Sequence, residues 1–168
     1  MVLETQSSSL FDATEELPAA NCSHSAAQWT IAMSIAVDAD AVRIFHALTV
    51  PEYLEAWISM PGSGEDSAVI ASPAENGYRL DQYAAGSLTV SITGSYLFCH
   101  HRKMRLSWRK CRKVVCCDSL VDFRLRGNFG STILELRHSD LASAGEYLWH
   151  QALWRSSLDK LASLLKCA

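Results

Sequence analysis

The run STILELRH, residues 131–138, is followed after a four-residue break by SAGEYLWHQALWRSSLDKLASLLK, residues 143–166. In the first run Leu134, Leu136 and His138 fall on alternate positions, the period of a β-strand. In the second, Tyr147, Gln151, Trp154, Leu158, Leu161 and Leu165 recur every three or four residues, which draws one stripe along a long helix. Ser143 and Glu146 stand at the S-x-x-E spacing of a capping box and mark where that helix starts. A helix with a single apolar stripe must bury it, and the strand before it supplies the surface if it belongs to a sheet.

Upstream, the chain supplies the rest of that sheet. Trp29, Ile31, Met33, Ile35 and Val37 alternate as a half-buried strand would. Asp38 or Asp40 can cap a helix over 39–48 in which Val42, Phe45 and Leu48 share one side. Pro51 suits the first turn of a second short helix, 51–58, presenting Leu54 and Trp57. Strands are then expected at 67–72, 78–84, 87–97, 103–110, 117–126 and 131–138. The breaks between them are too short for parallel crossovers, so neighbours run antiparallel. The expected class is α+β: a curved antiparallel sheet of about seven strands, two short helices after the first strand, and a long C-terminal helix. Residues 1–27, rich in Ser, Ala, Glu and Thr without apolar periodicity, read as a flexible tail, and 28–168 as one domain.

Composition narrows the function classes. With 49% hydrophobic and 20% charged residues in 168, the chain can bury a core. No apolar run is long enough to span a bilayer, and the N-terminus lacks the regions of a secretory signal, so a soluble cytoplasmic protein is expected. The six cysteines are expected to be free thiols in that setting. Cys99, His101, Cys111 and Cys116 could be imagined around zinc, but there is no Cys-x-x-Cys pair, so no metal site is expected. The MPGSGED loop (60–66) has no lysine after its glycines and is no phosphate cradle. Charge is uneven: residues 1–81 carry net −10 and residues 82–168 net +7. Seven of the fifteen basic residues lie in RKMRLSWRKCRK, 102–113. This segment reads either as a nucleic-acid patch with Trp108 as a stacking platform or as a hairpin with one solvated face. The second is preferred because these basic residues span two strands, so no nucleic-acid partner is expected.

Four segments resemble one family. Val42-x-x-Phe45-x-Ala47-Leu48-Thr49-x-Pro51-Glu52-x-Leu54-x-x-Trp57 is similar to its helix pair, and Gly77-Tyr78-Arg79-Leu80 to one of its strand starts. Gly94-Ser95-Tyr96 with Arg105-Leu106-Ser107-Trp108 resembles its central strands. Thr132-x-Leu134-x-Leu136-x-His138 with Trp154-x-x-x-Leu158-x-x-Leu161 resembles its closing strand and helix. Together they resemble the helix-grip superfamily (START-like, SRPBCC, Bet v-type). Within it they are most similar to the homologues of the activator of the Hsp90 ATPase. The chain departs from the pattern at Ile58, at Cys99-His100-His101 and at Leu153, which replaces a glycine before the helix tryptophan.

The resemblance implies a cavity between the sheet and the last helix that takes a hydrophobic or amphipathic small molecule of lipid, polyketide or aromatic type. Its expected walls are Trp57, Tyr78, Tyr96, Trp108, Phe123, Leu134, His138, Trp154 and Leu158, mostly apolar with a few polar tips. The bland reading of the same residues is a packed core. An enzyme of cyclase or hydrolase type is the alternative, with Tyr78, Tyr96 and His138 acting on a carbonyl. Against it, His138 at a strand end is expected to cap a loop or face solvent. No catalytic residue and no cofactor are assigned. A second copy of the chain and a chaperone stand as further partners to be considered, and no stable membrane insertion is expected.

Overall fold

The structure, a computed structural model, describes residues 29–62, 64–128 and 130–166. The elements run β1 (Trp29–Val37), α1 (Ala41–Thr49), α2 (Pro51–Trp57), β2 (Ser67–Ala74), β3 (Gly77–Ala84), β4 (Ser87–His100), β5 (Lys103–Arg112), β6 (Val115–Asn128), β7 (Ser131–Leu141) and α3 (Ala144–Lys166). All strands join one antiparallel sheet in the order β1-β7-β6-β5-β4-β3-β2. This is the helix-grip fold expected from the sequence. The expected tail lies outside the described residues.

Short turns hold the meander in register. Between β3 and β4 both Ala85 and Gly86 have positive φ, 48° and 75°, as a tight hairpin requires. At the β2–β3 turn Asn76 Nδ2 donates to the Tyr96 carbonyl at 2.7 Å, and the Tyr96 N–H donates back to the Asn76 carbonyl at 2.7 Å. These bonds tie the start of β3 to the middle of β4. Gly94 then makes room for an aromatic row. It pairs with Tyr78 on one side and Trp108 on the other, and a Cβ there would sit 3.0 Å from the Tyr78 ring. Without that Cβ, the Tyr78 ring lies across β4 and meets Trp108 edge-on, centroids 6.5 Å apart.

Alternation sorts the sheet into two faces. Residues such as Leu106, Trp108, Val121, Leu134 and Leu136 point inward and are buried, while their neighbours face out. The helices cover the inner face. Asp40 caps α1, its Oδ1 accepting the Arg43 N–H at 2.8 Å. The Trp57 indole donates to the Ala47 carbonyl at 2.8 Å and locks α2 onto α1. Ser157 of α3 accepts the Ser59 N–H at 2.9 Å, so the loop after α2 is fastened to the long helix.

Three expectations are corrected. Val42 is exposed; the buried side of α1 is Ala41, Ile44, Ala47 and Leu48, one residue round the helix from the expected stripe. Cys111 and Cys116 are not free thiols but a disulfide, because β5 and β6 run on to a two-residue turn that places them directly opposite each other, Cα atoms 4.1 Å apart. The basic residues of 102–113 are not simply divided between two strands. Lys103, Arg105 and Arg109 share the outer face, where Arg124 and Arg126 of β6 and Arg137 of β7 join them.

Candidate functional site

The expected site residues converge under α3. Tyr78, Trp108, Phe123, His138 and Trp154 form one cluster of ring contacts, with Trp108–Trp154 centroids 5.2 Å apart and Phe123–Trp154 5.7 Å apart. Tyr96 stands at its edge, edge-on to Tyr78 at 6.2 Å, its hydroxyl 3.5 Å from the Thr49 carbonyl. Leu134 and Trp57 are buried in the same core, Trp57 committed to the α1–α2 lock. Leu158 lies one turn beyond Trp154 on α3.

His138 is neither a loop cap nor exposed: it is 0% accessible. The reason lies in partners from elsewhere in the chain. The Trp154 indole donates to His138 Nδ1 at 2.8 Å, and His138 Nε2 lies 2.7 Å from Ser119 Oγ. Ser119 Oγ donates to the Trp108 carbonyl at 3.1 Å, and the Trp108 indole donates to His150 Nε2 at 3.2 Å. His150 Nδ1 lies 2.8 Å from the Glu146 carbonyl. An indole N–H only donates, so the nitrogen facing each tryptophan must be an acceptor. His138 therefore carries its proton on Nε2 and gives it to Ser119, while His150 carries its proton on Nδ1 and gives it to Glu146. All donors point one way along the chain, and each imidazole uses both nitrogens in its neutral form. Burial is the main cause that pushes His138 down to about 2, with His150 and Lys110 adding to it. Burial likewise lowers His150 to about 4, opposed by its bond to the Glu146 carbonyl.

Sequence reasoning missed His150, Ser119 and Lys110. His150 could have been found four residues before Trp154 on the same helix face. Ser119 and Lys110 fall on the inward alternation set by Val121 and Trp108. Lys110 is held by Glu146, Nζ to Oε1 at 2.6 Å, and covers the Trp149 ring at 4.4 Å. Burial also raises the Tyr78 and Tyr96 hydroxyls well above the usual phenol value.

Two recesses open on this framework. One, about 290 Å³, lies at the seam between β1 and α3 and is lined by Met33, Ser34, Ile35, Arg155, Leu158 and Asp159. The other, about 520 Å³, lies on the outer face of the sheet. Neither is lined by Tyr78, Tyr96 or His138. Among the described residues no helix is long and apolar enough to cross a membrane.

The fold is shared with known proteins. The model of the family "Activator of Hsp90 ATPase homolog 1-like protein" matches residues 38–166. Among solved structures, protein CV1439 from Chromobacterium violaceum is 18% identical with a TM-score of 0.66, over 81% of this chain and 96% of that one. The AHSA1 protein from Silicibacter pomeroyi is 18% identical with a TM-score of 0.65, over 83% and 99%. CalU16 from Micromonospora echinospora is 24% identical with a TM-score of 0.56, over 81% and 75%. No curated protein matches the chain. With a family model spanning α1 to the end of α3, this chain belongs to the activator of Hsp90 ATPase homolog 1-like family.

Proposed function

We propose that the protein binds a small hydrophobic or amphipathic molecule between the sheet and α3, admitted at the β1–α3 seam. Family membership supports a ligand-binding role in general, and the seam recess is the observation that carries the finer reading. Met33, Ile35 and Leu158 offer apolar surface there, while Arg155 and Asp159 stand at the rim. With Ser34, the polar residues make up half of the lining, and a surface divided between apolar and polar groups suits a molecule with a hydrocarbon body and a polar end. Leu158 joins the seam to the aromatic cluster, since it lies on the same face of α3 as Trp154, one turn away.

The cluster itself argues for binding over acid–base catalysis. His138 has no nitrogen left to accept a substrate proton, and the phenols of Tyr78 and Tyr96 are made poorer acids by burial. Titration with cis-parinaric acid, which fluoresces in apolar surroundings, tests the reading. A saturable signal is expected, with Met33→Trp filling the seam and weakening it about tenfold, and Arg155→Ala weakening it less. Absence of saturation, or unchanged affinity in a folded Met33→Trp variant, would sink the proposal.

A further inference from the structure

The larger recess lies on the face of the sheet turned away from α3. Register aligns its walls in two rungs: Arg105, Asp122, Arg137 and Ala32 on one, Lys103, Arg124, Glu135 and Ser34 on the next. The two carboxylates are already engaged. Asp122 is gripped by both Arg105 Nε and Nη2, at 2.7 and 3.1 Å. Glu135 is paired with Arg126, from outside the recess, at 3.2 Å. Lys103, Arg124 and Arg137 have no ion-pair partner among the described residues. Moreover, Lys103 stands directly opposite Arg124 across the β5–β6 ladder, a like-charge pairing that costs stability unless an anion relieves it. On β1 only Ala32 and Ser34 face outward beside them, and their small side chains leave the space open.

We propose that this recess is a phosphate-binding site, with Lys103, Arg124 and Arg137 as its ligands. Opposed residues on a ladder are about 5 Å apart at Cβ and diagonal ones about 7–8 Å. Lys103 is opposed to Arg124 and Arg137 is diagonal to it, so these two long side chains flank Arg124 from the neighbouring strands and can close with it on one group held above β6. A phosphate presents several anionic oxygens to them, and the two guanidinium forks match its geometry. A single carboxylate would leave part of the charge unanswered. The phosphate is carried either by a soluble molecule or by a lipid headgroup. The recess shares Met33 and Ser34 with the seam, but none of its basic groups lines the seam, so the site stands whether or not a hydrophobic ligand binds there.

Amide NMR of the full chain, titrated with inorganic pyrophosphate and separately with phosphatidylcholine vesicles containing phosphatidic acid, distinguishes the carriers. Saturable shifts with pyrophosphate are expected along residues 103–105, 122–124 and 135–137. Arg124→Gln and Arg137→Gln should each weaken binding about tenfold. Arg109→Gln, on the same face but outside the recess, should leave it unchanged, and the spectra report directly that each variant is folded. Vesicle binding abolished by the same two variants, without a pyrophosphate response, assigns the site to a headgroup. No response to either probe, or equal behaviour of all three variants, overturns the proposal.

Discussion

Because an indole N–H donates and never accepts, Trp154 and Trp108 dictate where the protons of the two buried histidines sit. Long-range nitrogen–proton NMR spectra should show His138 as the Nε2–H tautomer and His150 as the Nδ1–H tautomer; the reverse pattern would break the proposed chain of donors. Trp154→Phe retains an aromatic ring but strands His138 Nδ1, at an expected loss of about 1–3 kcal/mol beyond the packing change, read by chemical denaturation. None of this is visible in 131–138 alone. Alternation correctly turns His138 toward the same side as Leu134 and Leu136. What lies opposite it depends on Ser119 and Trp154, which come from two other elements. A histidine at the end of an apparent strand therefore looked exposed, although β7 runs on to Leu141 and carries it into the core.

At the scale of elements, the β3–β4–β5 row depends on the missing side chain of Gly94. Gly94→Ala should push the Tyr78 ring off Trp108, costing about 1–3 kcal/mol, with a change in the near-ultraviolet dichroism of the aromatic cluster. An unchanged spectrum and stability would show that the ring has another place to go. Elements were the most legible level. Their order, the antiparallel pairing and both short helices follow from periodicity and turn residues, because short breaks leave a strand only its neighbour to pair with. The ends were less legible. The β5–β6 hairpin turns on Lys113 with φ 54° and exposed Val114, neither of which signals a tight turn. The strands therefore looked shorter than they are, and the pairing of Cys111 with Cys116 stayed hidden. Likewise, the outer-face recess needs three strands in register before its cations meet, and a fourth, β1, to complete its walls.

For the whole molecule, the buried imidazoles tie stability to pH. In the unfolded chain both take a proton near the ordinary histidine value of about 6.5. In the folded protein they stay neutral down to about 4 for His150 and about 2 for His138. Between pH 6.5 and 4 the unfolded state thus binds more protons, and stability falls as the medium is acidified. Each histidine contributes about 1.4 kcal/mol per pH unit across that window. Urea midpoints measured from pH 7 to 4 should fall steeply, and a flat profile would mean that the imidazoles are reached by water or charged when folded.

The one-way run of donors from Trp154 through His138, Ser119 and Trp108 to His150 also shapes how the sequence can change. Replacing His138 alone orphans the Trp154 donor, and replacing Trp154 alone orphans His138, so each single step passes through a damaged intermediate. Exchanging both together for apolar groups of similar shape removes the debt on each side. Divergence at these positions should therefore be paired: related chains keep the histidine and tryptophan as a set or lose them as a set.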